Sequence, residues 1–375
     1  MAIEIRPARN SAELDLFHAA GLAAQPGGRA APAARMEIRK IFDPRSPIMR
    51  ENQVQPFVAL RDGKPVGRIA AIVNAAHQSK YADATGHFGY IEATDDPEVF
   101  AALVDAAASW LAARGMRRMQ GPFSLSVNHE AGLLVGGFDE PHYVRTNYAP
   151  PRYGPALERL GFVKEIDLVA YATKPAESDY PERVRALLAR SPLAKDITTT
   201  GLTYAGWHAG SGRVNRLYND AWAENWGSVP VSDAEADFIA GLSLPVVKPS
   251  WIRIATYGGE DVALVGHIPD MNEVAPANGE IFPFGWARLL GGLHIKGVTR
   301  SRLAMIGVAR RFRGTRVGSL AISLLMAEAI ENARRAGIRE VEISWMLETN
   351  TPILNLVAAL PARHSRTFRI YSRAL

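Results

Sequence analysis

The chain has 375 residues and a mass of 40.8 kDa, too long for one ordinary core and suited to two domains of the usual ~100–200 residues. Apolar residues make up 47% and charged residues 22%, which excludes a disordered or fibrous chain, and the lack of cysteine excludes disulfides, thiol nucleophiles and thiolate-held zinc or iron–sulfur sites. The net charge of +5 rests on 35 arginines and eight lysines, a ratio that reads as codon bias, so no nucleic-acid partner is expected.

The amino terminus carries early acidic residues and no apolar core followed by a cleavage site, so it does not read as a signal peptide. The longest apolar stretch, residues 101–113, is interrupted by Asp105 and falls short of the ~18 residues of a membrane span. A cytoplasmic protein is expected. Residues 19–34, rich in Ala, Pro and Gly, read as a mobile loop. Residues 57–74 alternate as a strand pair around Asp62-Gly63, a hairpin tip. A strand over 86–93 leads to Thr94-Asp95-Asp96-Pro97, which caps a helix running to about Arg114 and stopped by Gly115. Next come a strand near Met119, a loop over 124–130, a short helix ending at Leu157-Glu158-Arg159-Leu160-Gly161-Phe162 and a strand over 167–172.

The second half repeats this order. Gly259 and Val262 lie 196 positions beyond Gly63 and Val66, Gly337 follows Gly115 at the end of a helix, and Leu360 and Tyr371 lie 200 beyond Leu160 and Tyr171. The pattern reads as an old duplication of one α/β (α+β) unit, in each copy a mostly antiparallel mixed sheet flanked by helices. The expected boundaries are 1–173 for the first copy and 201–375 for the second. Residues 174–200, with Pro175, Pro181 and Pro192 around a helical run over 182–190, form the linker.

Chemistry concentrates in the second copy. A buried-type strand over 302–308 enters a loop bearing Arg310, Arg311, Arg313 and Arg316 among glycines, and a helix follows through about 336. Free amides at a helix amino terminus, reinforced by guanidiniums, suit an anion such as a pyrophosphate. The matching place in the first copy holds Glu92, Asp95, Asp96 and Glu98, which cap a helix well and repel phosphate. His129 has no second His or Cys at ligand spacing, so no metal is expected.

Arg313-Gly314-Thr315-Arg316-Val317-Gly318 resembles the pyrophosphate loop of the GNAT acyltransferase superfamily, an Arg/Gln-x-x-Gly-x-Gly/Ala pattern, with Arg316 in place of the central glycine. Glu342-Ile343-Ser344-Trp345 through Asn355 looks like that superfamily's splayed strand and following helix. The resemblance spans nearly the whole chain as a tandem pair of such domains. In length, layout and segments such as Gly121-Pro122-Phe123-Ser124 and Trp222-Ala223-Glu224-Asn225-Trp226, it is similar to the bacterial ceramide synthases.

The resemblance implies an N-acyltransferase taking its acyl group from acyl-coenzyme A and passing it to a primary amine, of sphingoid type under the narrower match. Coenzyme A would then lie along Ile306, Gly307 and Val308, with its pyrophosphate over Arg311, Arg313, Gly314, Thr315, Arg316, Val317, Gly318 and Ser319, and Asn350 on the cofactor side. Acyl transfer to an amine needs a base, a polarised carbonyl and a proton for the leaving thiolate. Asp270 is the favoured base, with Glu348 and Glu342 competing. Tyr371 stands in for the superfamily's tyrosine proton donor, whose place is nearest Val357. Trp222, Asn225 and Trp226, on an amphipathic run over 213–226, would bind the acceptor. By pseudosymmetry, Asn128 and Tyr148 of the first copy would assist. A lipidic acceptor implies peripheral contact with the inner face of the membrane. Two other readings stay open: a transferase using aminoacyl-tRNA, and a non-catalytic binding protein.

Overall fold

The computed structural model describes residues 2–25, 34–276 and 278–375. In chain order the first half runs β1 (Ile3–Pro7), α1 (Ser11–Ala24), α2 (Arg35–Ile41), α3 (Pro47–Glu51), β2 (Gln53–Arg61), β3 (Lys64–Val73), α4 (Ala75–Tyr81), β4 (Thr85–Ala93), α5 (Pro97–Ala112), β5 (Arg118–Gly121), β6 (Phe123–Ser124), β7 (Glu130–Ala131), β8 (Leu133–Gly136), α6 (Tyr153–Arg159) and β9 (Val163–Thr173). The second continues α7 (Tyr180–Ala189), β10 (Ile197–Gly201), α8 (Trp207–Trp222), α9 (Asp233–Ser243), β11 (Ile252–Tyr257), β12 (Glu260–Pro269), α10 (Gly285–Leu290), β13 (Arg300–Val308), α11 (Arg316–Arg335), β14 (Glu340–Leu347), α12 (Thr351–Ala358) and β15 (Ala362–Ala374). These elements form two compact units. One comprises Met1–Leu168, Ala275–Trp286 and Arg366–Leu375; the other comprises Val169–Val274 and Ala287–Ser365.

In the first unit, strands β1 to β5 lie side by side in chain order, antiparallel except for the parallel β4–β5 pair. The carboxyl-terminal part of β15 pairs with β5, Tyr371 opposite Gly121. Helix α5 covers this sheet with Val99, Phe100, Leu103, Val104, Ala107 and Leu111, the three-and-four spacing of one buried face. The Asp96 carboxylate starts α5 by accepting from the Glu98 amide at 3.0 Å, and Gly115 at φ 77° follows its end.

The second unit repeats the arrangement with β10 to β14, the β13–β14 pair being the parallel one. Both hairpins turn on two residues of positive φ, Asp62-Gly63 and Gly258-Gly259, and both carry a bulge just before, at Ala59/Leu60 and Ala255/Thr256. The bulges lie 196 positions apart, the same offset as the turn glycines, so the duplication extends to backbone irregularities. Helix α11 buries Leu320, Ala321, Leu325, Met326, Ala329 and Ala333. Each unit is thus an α/β layer of mixed sheet and helices.

Two expectations change. Residues 19–24, read as loop, are the last turns of α1, because Ala20 and Ala24 pack inward; most of the remaining stretch, 26–33, lies outside the described residues. Within the stretch read as linker, Ile197–Gly201 is the second unit's edge strand, paired with β11, and α7 is packed through Tyr180, Pro181 and Val184. Among the described residues no helix is long and apolar enough to cross a membrane.

Candidate active site

The second unit holds a backbone opening. Strands β13 and β14 pair only from Arg300 opposite Glu340 to Leu303 opposite Ile343, although β13 continues to Val308 and β14 to Leu347. The departure coincides with a bulge in the β12–β13 ladder, where Gly266 pairs with Met305 and His267 with Leu303, leaving Ala304 as the extra residue. A bulge bends its strand and increases local twist, which turns β13 away from β14. Ser301, Arg302 and Leu303 are buried, whereas Ala304 through Val308 are half-exposed. Polar backbone on a strand edge needs a partner, so this stretch is suited to an extended ligand rich in amides.

At the far end of β13 the chain forms a seven-residue loop and enters α11. The left-handed residue of this loop is Gly314, at φ 69°, and Arg316 opens the helix. An arginine where the superfamily pattern has glycine therefore strains nothing. Thr315 caps α11 by accepting from the Gly318 amide at 3.1 Å, which leaves the first-turn amides of Arg316 and Val317 without a partner in the helix. Gly318 must lack a side chain, because a Cβ would lie 2.1 Å from the Phe312 carbonyl.

The arginines differ in their engagement. Arg310 pairs with Asp220 at 2.9 Å and Arg311 with Glu260; Arg313 pairs with Glu224 at 2.8 Å and also donates to the Ala221 carbonyl. In each of the three pairs one partner is more than half open to water, and such pairs are weak enough for a phosphate to displace. Arg316 is exposed, and among the described residues it has no ion-pair partner. Ser319 donates to the Thr315 carbonyl, and Asn350 caps α12 by accepting from the Ile353 amide.

Trp222, the last residue of α8, lies on the backbone of β13: a Cβ on Gly307 would come within 2.3 Å of its ring. Tyr218 stacks on Trp222 with ring centroids 4.4 Å apart. Helix α8 stops there, so Trp226 and Asn225 belong to a turn closed by Gly227 at φ 68° and share no helix face with Trp222. Of the acceptor candidates, Trp222 is the one that this structure sets against the parted strands. Asn128 and Tyr148 lie in the first unit, Tyr148 with its ring edge-on to His142.

The candidate bases separate. Asp270 is fully buried, ion-paired with Arg300 at 2.9 Å, and accepts from the Asn272 amide in the turn it caps. It directly follows β12 and lies beside Arg300, which starts β13 eight residues before Val308, with its carboxylate committed to these contacts. Glu348 is exposed directly after β14, on the parted side. Tyr371 is packed in the first unit, its hydroxyl 3.1 Å from Glu158; burial and that carboxylate push its pKa up to about 12. At the vertex, where pairing ends, lies a buried polar group. The Arg302 Nε donates to Ser344 Oγ at 2.8 Å, and Ser344 donates to Glu342 at 2.5 Å. Glu342 was legible as a competing carboxylate. The signal for Arg302 and Ser344 is polar residues directly beside the apolar runs of their strands.

The equivalent opening in the first unit is filled. Strands β4 and β5 pair only over Thr85–His87 and Arg118–Gln120, and β6 then packs so closely that a Cβ on Gly89 would lie 1.7 Å from the Phe123 carbonyl. The link from β4 to α5 is three residues, closed by Asp96 with its Arg61 ion pair at 2.7 Å. Among the described residues no group of three or more acidic or histidine side chains is placed to hold a metal ion.

No family model matches the chain. It is 33% identical to the protein named bacterial ceramide synthase of Caulobacter vibrioides, over 100% of this chain and 98% of that one. It is 35% identical to protein YghO of Escherichia coli K12, over 86% of this chain and 82% of that one. A tandem GNAT protein from the clavulanic acid biosynthesis pathway aligns at a TM-score of 0.56 and 15% identity, covering 100% of this chain and 98% of its own, a likeness of fold. The repeated units, the strands parted in each and the near-complete coverage of these relatives agree: the chain has the fold of a tandem GNAT protein and belongs to the family of the bacterial ceramide synthase.

Proposed function

We propose that the protein transfers an acyl group from acyl-coenzyme A to a primary amine, that coenzyme A binds the second unit alone, and that the acceptor is a long-chain, sphingoid-type amine. The observation that carries the donor site is the parted β13–β14 pair leading into the Arg313–Gly318 loop, set against the filled opening and acidic helix start of the first unit. The pantetheine amides would pair along Ala304 to Val308, and the pyrophosphate would take the amides of Arg316 and Val317, with Arg316, Arg313 and Arg311 supplying charge. The superfamily resemblance supports a backbone amide at Gly307–Val308 polarising the thioester carbonyl. The amine nitrogen bonds to the thioester carbon, the C–S bond breaks, nitrogen releases one proton and the thiolate gains one. Glu348, on the parted side, suits the base better than Asp270, whose carboxylate is bound to Arg300.

The identity to a ceramide synthase supports the acceptor, and with it work at the inner face of the membrane. A buried alkyl tail contributes about 0.8 kcal/mol per CH₂, so apparent affinity should climb with chain length. Michaelis constants of sphingoid bases, short amino alcohols and polyamines, measured with a long-chain acyl-coenzyme A, test this. Equal turnover of short or polycationic amines would overturn the lipid acceptor and leave the N-acyltransferase standing.

A further inference from the structure

Residues 281–296, between β12 and β13, run from the first unit into the second and expose apolar side chains that the chemistry described above does not use. Phe282 is 64% exposed, Phe284 81%, Trp286 45% and Ile295 88%. Among the described residues nine large apolar side chains are exposed, and the other five are scattered from Tyr81 to Leu375. A lone exposed apolar residue is ordinary; four within fourteen positions of one segment are a concentration that calls for an occupant.

The display is held in place. Arg35 pairs with Glu280, just before the run, at 3.0 Å, the Trp286 amide donates to the Ile281 carbonyl at 2.7 Å, and Gly285 is required because a Cβ there would lie 2.2 Å from the Glu280 carbonyl. Leu289 and Leu293 point inward, and His294 Nε2 lies 3.0 Å from the Pro245 carbonyl. The same segment carries exposed Arg288, His294 and Lys296, and the sequence holds no Asp or Glu from 281 to 327.

We propose that this run is the protein's docking element for an anionic bilayer surface; its purpose, bringing the enzyme to a lipid acceptor, rests on the function proposed above. Aromatic rings settle at the headgroup boundary, aliphatic side chains reach below it, and Arg and Lys attract acidic headgroups. Charge disfavours a second copy as occupant, since two such faces brought together would set cations against cations without a carboxylate between them.

The binding arm of the test needs no substrate. The full chain is sedimented with vesicles of phosphatidylcholine alone or with one-third phosphatidylglycerol, and Trp fluorescence is read with and without brominated lipid. The wild type should bind the anionic vesicles and be quenched. A Phe282→Ser, Phe284→Ser, Trp286→Ser variant should lose about tenfold or more in binding, and Arg288→Gln with Lys296→Gln should lose the preference for acidic lipid. Circular dichroism and acyl transfer to a detergent-dispersed amine should stay at the wild-type level. Vesicle binding that survives the triple variant overturns the proposal, as does its absence in the wild type or a dimer that the triple variant dissociates. Vesicle binding without turnover of long-chain amines overturns only the acceptor; turnover in detergent without vesicle binding overturns only the docking element.

Discussion

Arg316 and Gly314 divide a task that the sequence pattern assigns to one glycine. Positive φ is needed at Gly314, and the next free backbone position belongs to a helix, where an arginine side chain can point to water. Among the described residues Arg316 has no ion pair to surrender, so Arg316→Glu should weaken coenzyme A binding about tenfold or more by calorimetry while the melting temperature holds. Asp96→Ala, at the first unit's helix start, should cost about 1 kcal/mol of stability through the lost cap and leave that affinity unchanged. The reverse pattern would move the donor site to the first unit. Gly307 has a comparable constraint: its missing Cβ lets the Trp222 ring rest on β13, a proximity that no spacing rule links across 85 positions of chain.

Among the elements, β13 carries the largest consequence. Its first four residues are sealed against β14 and its last five are not, and the change falls at the Ala304 bulge. Amides at 304–308 should therefore exchange with deuterium faster than those at 300–303 in the free protein, and coenzyme A should protect 304–308 together with 314–318. The corresponding stretch of β4, covered by β6, should be unaffected by the ligand. Protection at β4 instead, or equal exchange along β13, would contradict the site. The bulge was not legible in the sequence, because a bulged and an unbulged strand share the same apolar run; only the partner's register distinguishes them.

Over the whole molecule, buried histidines couple stability to acid in both units. His87, beside His77, is pushed down to about 3, and His267, across from the Ala304 bulge, to about 4, each chiefly by burial, from an ordinary 6.5. The unfolded chain takes up these protons near pH 6.5 and the folded chain only near those lower values. The stabilisation is complete above pH 6.5 and is lost as pH falls, at about 1.4 kcal/mol per pH unit for each histidine. Melting temperature should drop steeply between pH 6.5 and 4, and His87→Phe with His267→Phe should flatten that slope. A wild-type curve level over this range would refute the account.

Hairpin turns, helix caps and the loop sequence act within a few residues, so the duplication, the α/β character, the cap at Asp96 and the glycine–arginine loop were readable along the chain. The tertiary structure decided what depends on partners distant in sequence. It committed Asp270 to Arg300, packed Tyr371 against Glu158, ended α8 before Trp226 and gathered Arg302, Ser344 and Glu342 at the vertex. It also distinguished two openings of common descent. Whether a gap between strands is filled by backbone at Phe123 or left half-open beside Gly307 is a matter of close packing, which no local propensity encodes.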